Sequence, residues 1–235
     1  MSRRIGVAAV SLVSAAIFVA LLGPRAGLTI FAVLALHETG HAVAAWLFTR
    51  RAPAVMVMPA FFGLTIAPGV ATRPAADRVA YNLAGSWGSS VVALALLPLA
   101  VRSDWVFSFA WALLLVNVVN VLPIPGTDGG RVSWLLTATL PWRWRVGVTG
   151  LLVAVGFALA YWLRLPLVWI AWSVNSVVLL PLTWMRKDVP SALAPRAAVA
   201  WSVVHVVTVT ALLHALWVML SMGDPLSRLQ RGLAL

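Results

Sequence analysis

His37, Glu38 and His41 stand in the run Phe31–Trp46 as His-Glu-x-x-His. On a helix, residues four apart share one face, so both imidazoles can take one metal ion while the intervening carboxylate acts on a water beside it. Zinc suits such a pair. It lowers the pKa of a bound water toward ~7, and a neighbouring carboxylate can accept the proton as the oxygen attacks a carbonyl. A peptide bond is the usual target. The chain has four histidines, and Glu38 is its sole glutamate, so chance seldom assembles this pattern from this composition. The bland alternative is three polar side chains in an interhelical hydrogen-bond network, and it leaves that coincidence unexplained.

Two histidines leave a catalytic zinc one protein ligand short. His205 and His214 are nine residues apart, which on a helix places them on opposite faces. Neither has a recognisable ligand context, and helix packing is the simpler role for both. Among Asp77, Asp104, Asp128, Asp188 and Asp224, Asp128 has the most telling surroundings. It ends the run Asn117-Val-Val-Asn120-Val-Leu-Pro123-Ile-Pro125-Gly126-Thr127-Asp128, with Gly129, Gly130 and Arg131 behind it. The prolines stop a helix, and the glycines allow a turn that swings a carboxylate back toward the bundle. In a plain turn Asp128 would cap a short helix over 131–138. Beside the two-histidine motif, a third-ligand role is the stronger expectation.

His37-Glu38-Thr39-Gly40-His41 on an early apolar segment, with Asn120-x-x-Pro123-x-Pro125-x-x-Asp128-Gly129 later, resembles the site-2 protease family of intramembrane metalloproteases. The resemblance covers about 28–135. It implies that His37, His41 and Asp128 bind one zinc ion, that Glu38 is the general base, and that Asn120 helps hold the substrate backbone. It implies a compact member lacking PDZ or CBS additions, acting on a transmembrane protein substrate. One segment departs from the family. Ser86 and Ser89, in Ala84-Gly-Ser-Trp-Gly-Ser89, stand where a Gly-Pro and an Asn are frequent; their small size reads as close helix packing.

These residues need a scaffold, and the composition says which kind. Of 235 residues 62% are hydrophobic and only 10% charged, against about 25% charged in soluble domains. The expected fold is all-α and polytopic, an integral multi-pass protein of the cell (plasma) membrane, in one domain over 1–235. Seven spans are expected, near 5–22, 27–48, 79–101, 105–122, 146–163, 166–185 and 197–222; six are possible, since only Arg164, Leu165 and Pro166 part the fifth from the sixth. The first span reads as a retained anchor rather than a cleaved signal. Between spans two and three, 53–70 is apolar but broken by Pro59, Gly63 and Pro68, which reads as a membrane-associated β-hairpin or loop. A strand edge there could pair with an unwound substrate by β-augmentation. Most of the thirteen tryptophans, such as Trp46, Trp105 and Trp144, fall near span ends, as an interfacial belt does.

The net charge of +11 points to the bilayer and not to nucleic acid. Seven spans put twelve basic residues on one side and five on the other, which makes the N-terminal side cytoplasmic by the positive-inside rule. A zinc-binding membrane protein, or a degenerate protease that binds clients without cutting, is the alternative. A carrier would spread polar residues over several spans, and a degenerate enzyme would have lost Glu38 or a ligand. The substrate, the oligomeric state and the work of the last three spans are not encoded in any readable pattern. The topology has a direct check. Cysteines placed at Ser2 and Ser227 should react with impermeant reagents from opposite sides, Ser227 from outside; labelling of both from one side refutes the seven-span count.

Overall fold

The computed structural model describes residues 2–58, 62–124, 126–162, 193–222 and 225–233. Helix α1 (Ser2–Leu22) is followed by α2 (Pro24–Thr49), β1 (Ala54–Met58), β2 (Phe62–Ile66), α3 (Ala75–Ala100) and α4 (Asp104–Val121). Then come α5 (Asp128–Leu136), α6 (Trp142–Trp162), α7 (Pro195–Leu220) and α8 (Pro225–Leu233). Among the described residues, α1, α2, α3, α4 and α7 are long and apolar enough to cross a membrane. The protein is therefore an all-α polytopic membrane protein carrying one small β-hairpin. Exposed Leu12, Val91, Val155 and Val206 are the kind of surface that lipid, not water, accepts. Helix α6 occupies the expected fifth span. The expected sixth span, 166–185, and the turn at Arg164–Pro166 lie outside the described residues.

Local sequence explains the breaks. Gly23 adopts φ 82° between α1 and α2, a conformation that favours glycine. Pro24 then opens α2, where its missing N–H costs nothing. Arg50 ends α2 in the left-handed region, its N–H returning to Trp46 O.

Two compact units divide the chain: residues 1–72, 84–118 and 210–235 form the first, and 73–83 with 119–209 the second. In the first, α1 packs on α2 at Gly27, where a Cβ would lie 2.5 Å from the Phe18 carbonyl carbon and the Val19 nitrogen. Only a bare Cα fits. The hairpin pairs β1 with β2 antiparallel, Val57 facing Gly63 and Val55 facing Thr65. Helix α1 covers the outer edge of β1. Ser14 Oγ donates to Val57 O at 2.8 Å, and Val57 N–H donates to Ser11 Oγ at 3.2 Å. Val57 therefore turns both backbone groups toward α1, so Val57–Gly63 is a non-hydrogen-bonded pair of the ladder. Val55–Thr65 has the same parity. Gly63 and Thr65 accordingly turn their N–H and C=O to the side of β2 away from β1.

The last helix, α8, is tied to the start of α4. Arg228 Nε and Arg231 Nε lie 2.8 and 2.7 Å from the two Asp104 oxygens, and Arg228 sits 4.2 Å above the Phe107 ring. In the second unit, α5 meets α6 where Trp134 and Trp142 contact edge to face. The Arg145 guanidinium lies 3.8 Å over Trp134.

Candidate metal centre

The first unit carries the histidine motif on α2 and surrounds it with α3 and α4. His37, Glu38 and His41 are all buried on α2. Against them lies α3, and the approach is closer than side chains permit. A Cβ on Gly40 would be 2.9 Å from Gly85 Cα, and one on Gly85 would be 2.8 Å from His37 Nε2 and from His41 Cδ2. Both glycines are explained by this contact. The missing Cβ at Gly85 keeps the space beside the two Nε2 atoms clear.

The tautomer of His37 follows from its neighbour. His37 Nδ1 lies 3.0 Å from Asn117 Oδ1 on α4. An amide oxygen only accepts, so Nδ1 carries the hydrogen and Nε2 keeps its lone pair. At the other end of the amide, Asn117 Nδ2 donates to Ser90 Oγ at 2.9 Å. Ser89 Oγ donates to Asn117 Oδ1 at 2.7 Å, sharing its hydrogen with Gly85 O at 2.6 Å. Asn117, Ser86 and Ser89 are at most 1% exposed.

The two Nε2 atoms converge, 3.2 Å apart, with the rings nearly perpendicular at 77°. The His37 lone pair therefore faces His41 Nε2 at a distance that either a proton on His41 or a cation shared by the two nitrogens satisfies. Two nitrogens ~2.05 Å from one zinc at a tetrahedral angle are ~3.3 Å apart. The donor set, the His37 tautomer and the spacing fit that ion.

Glu38 is held apart from the pair by the hairpin. Thr65 Oγ1 donates to Glu38 Oε2 at 2.6 Å and, sharing its hydrogen, to Glu38 O at 2.9 Å. A Cβ on Gly63 would be 2.6 Å from Glu38 Cδ and would collide with Oε1. Gly63 lies inside β2 and not at the hairpin's break, where the sequence suggests it; its lack of a side chain makes room for the carboxylate.

The second unit carries Asp128, buried as the first residue of α5. Capping does not occupy its carboxylate. Thr127 is the N-cap, its side chain accepting from Gly130 N–H, and α5 spans Asp128–Leu136 rather than the expected 131–138. Arg131 Nη1 stands 3.5 Å from Asp128 Oδ1 while remaining 57% exposed, so that pair is loose and screened. Gly126 makes the turn at φ 94°. Gly129 serves closeness instead, since a Cβ there would collide with the Val121 carbonyl. Asn120 is half-buried near the end of α4. His205 is buried on α7 and bonded to Val121 O; His214 stacks on Trp217.

Sequence reasoning missed Asn117, Ser89, Ser90 and Thr65. Asn117 had a legible signal, because an amide inside a span is costly unless partnered. The partner could not be read. In place of mere small-residue packing, Ser89 is a hydrogen-bond donor to that amide.

Compared with solved structures, the chain is similar to the site-2 protease from Methanocaldococcus jannaschii, at 16% identity and a TM-score of 0.46, covering 77% of this chain and 91% of that one. No family model matches the chain, and no curated protein does.

Asn117 offers a test of the histidine geometry. Asn117→Leu removes the acceptor that fixes the His37 tautomer and, if the two histidines hold a metal, should weaken its binding by ~10–100-fold, the range for such supporting partners. Asn117→Asp, which still accepts, should stay far closer to wild type. Chelator competition on purified protein measures both; equal affinity in the Leu variant and the wild type would remove Asn117 from the site.

Proposed function

We propose that the protein is an intramembrane zinc metalloprotease, hydrolysing peptide bonds of membrane-spanning protein substrates in regulated intramembrane proteolysis. The observation that carries this reading is the combination of two converging imidazole nitrogens 3.2 Å apart with a carboxylate held beside them by a β-strand. A carrier needs the first and has no use for the second.

His37, His41 and Asp128 are the proposed ligands of one zinc ion, and the case for Asp128 comes from the sequence pattern and from its buried, uncapping carboxylate. A zinc ion held by them would supply Lewis acidity, polarising the scissile carbonyl and making water acidic enough to lose a proton near neutral pH. Glu38 takes that proton. Its Oε2 is engaged by Thr65, which leaves Oε1 as the basic atom. The water oxygen bonds to the carbonyl carbon, the C–N bond breaks, and the proton on Glu38 passes to the departing amide nitrogen.

The hairpin supports the choice of a peptide substrate. A helical substrate hides its peptide groups in its own hydrogen bonds, so cleavage requires an extended stretch. Gly63 and Thr65 turn backbone N–H and C=O outward on the same strand that contacts Glu38, and an unwound segment can pair there. Asn120 is proposed as a further holder of the substrate backbone. With a cytoplasmic N-terminus, α2 ends on the inner side at Thr49, and the histidines lie ~12–18 Å from that end at 1.5 Å per residue. Cleavage is thus proposed in the cytoplasmic half of the substrate span, in the plasma membrane.

Ligand and base are separable by experiment. His41→Ala and Asp128→Ala should lose most bound zinc in purified protein, while Glu38→Gln should keep it and lose ~10²–10⁴-fold in cleavage rate. Full zinc retention in both ligand variants sinks the metal assignment. Parental cleavage by the Gln variant sinks the role of Glu38.

A further inference from the structure

Val121 closes α4, and the last carbonyls of a helix have no partner within it. Donors from the following residues are curtailed, because Pro123 has no N–H. The turn satisfies most of its own groups. Leu122 O accepts from Ile124 N–H at 2.7 Å, and Ile124 O accepts from Thr127 N–H at 3.1 Å. Thr127 Oγ1–H is shared between Leu122 O and Ile124 O, each at 2.8 Å, while the same oxygen accepts from Gly130 N–H. All of these bonds begin and end within 122–130.

The Val121 carbonyl is different. Val121 is 0% exposed, and its oxygen takes a hydrogen bond from His205 Nε2–H at 2.6 Å, across 84 residues of sequence. Gly129 lies against that same carbonyl, too close for a Cβ, with Leu122 O at 2.5 Å from where one would stand. The group held by His205 is therefore the floor on which the first turn of α5 rests. Asp128 precedes Gly129 in that turn.

We infer that His205 is a positioning residue for Asp128: by fixing the Val121 carbonyl it fixes the seat of Gly129, and with it the direction of the neighbouring carboxylate. The inference rests on Asp128 being a metal ligand. It gives α7 a part in the site, through a histidine whose bond is to a backbone carbonyl. The bond needs one proton on Nε2, which the neutral Nε2–H tautomer and the imidazolium both supply. Without the donor, a buried carbonyl would be left unsatisfied or would move.

The test uses full-length protein in detergent, with zinc affinity read by chelator competition and melting temperature taken in excess chelator as a check on folding. His205→Leu should weaken zinc by ~10–100-fold. His205→Gln, whose amide N–H reaches about as far as Nε2, should restore binding to within a few-fold, and His205→Asn, one bond shorter, should fall between. In an Asp128→Ala background, His205→Leu should weaken zinc no further, since the effect runs through Asp128. Wild-type affinity in His205→Leu, no rescue by Gln, or an undiminished loss in the Asp128→Ala background each overturns the inference. If Asp128→Ala itself binds zinc like the wild type, the ligand assignment has failed and the inference falls with it. A normal Asp128 effect beside an unchanged His205→Leu removes the inference alone.

Discussion

The hydrogen bond from His37 Nδ1 to Asn117 Oδ1 joins α2 to α4 between two side chains that are both buried. In such surroundings a half-satisfied polar group costs more than none, so the network must close or be absent. It closes through Ser89 and Ser90, and that demands α3 at a fixed depth. Gly40 and Gly85 follow from the same demand, because only bare Cα atoms let α2 and α3 approach that closely. One tautomer thus dictates residue types on three helices. The price is rigidity, since no member can be enlarged or made apolar without stranding another.

The hairpin imposes a second constraint of a different kind. Glu38 is buried and would be costly as an isolated charge. Thr65 gives its carboxylate a donor, and Gly63 gives it room. Strand β2 thereby does two jobs with adjacent inward positions, one chemical and one steric, while its backbone remains available along the edge.

Legibility in the sequence tracked how local each feature is. His37, Glu38 and His41 lie within one helical turn and a half, so their shared face could be read from spacing. Helices α1 to α4 could be read from apolar length, to within a few residues at each end, whereas the short, charged α8 (Pro225–Leu233) has no such signal and was not anticipated. The turn after α4 was marked by its prolines, although Thr127, not Asp128, proved to be the cap. Asn117 and His205 could not be assigned partners, because nothing in a sequence tells which buried acceptor lies 80 or 84 residues away. Gly63 looked like a breaker because glycine is usually read through its backbone freedom. Its actual reason is a neighbouring carboxylate, which is a tertiary fact.

Ser11 and Ser14 reach from α1 to the Val57 backbone, and the hairpin becomes asymmetric as a result. An exposed two-stranded ribbon ordinarily offers two templates, and each added strand creates a fresh one, which is how sheets propagate between molecules. With the Val57 backbone groups of β1 taken by hydroxyls, that flank is blocked at its centre and β2 is the flank left for pairing. A guest that is a short stretch of an otherwise helical segment brings helix at both of its ends, so it terminates the ribbon as it joins. Under the proposed strand pairing, the serines of α1 leave β2 as the flank on which a single strand would join and stop.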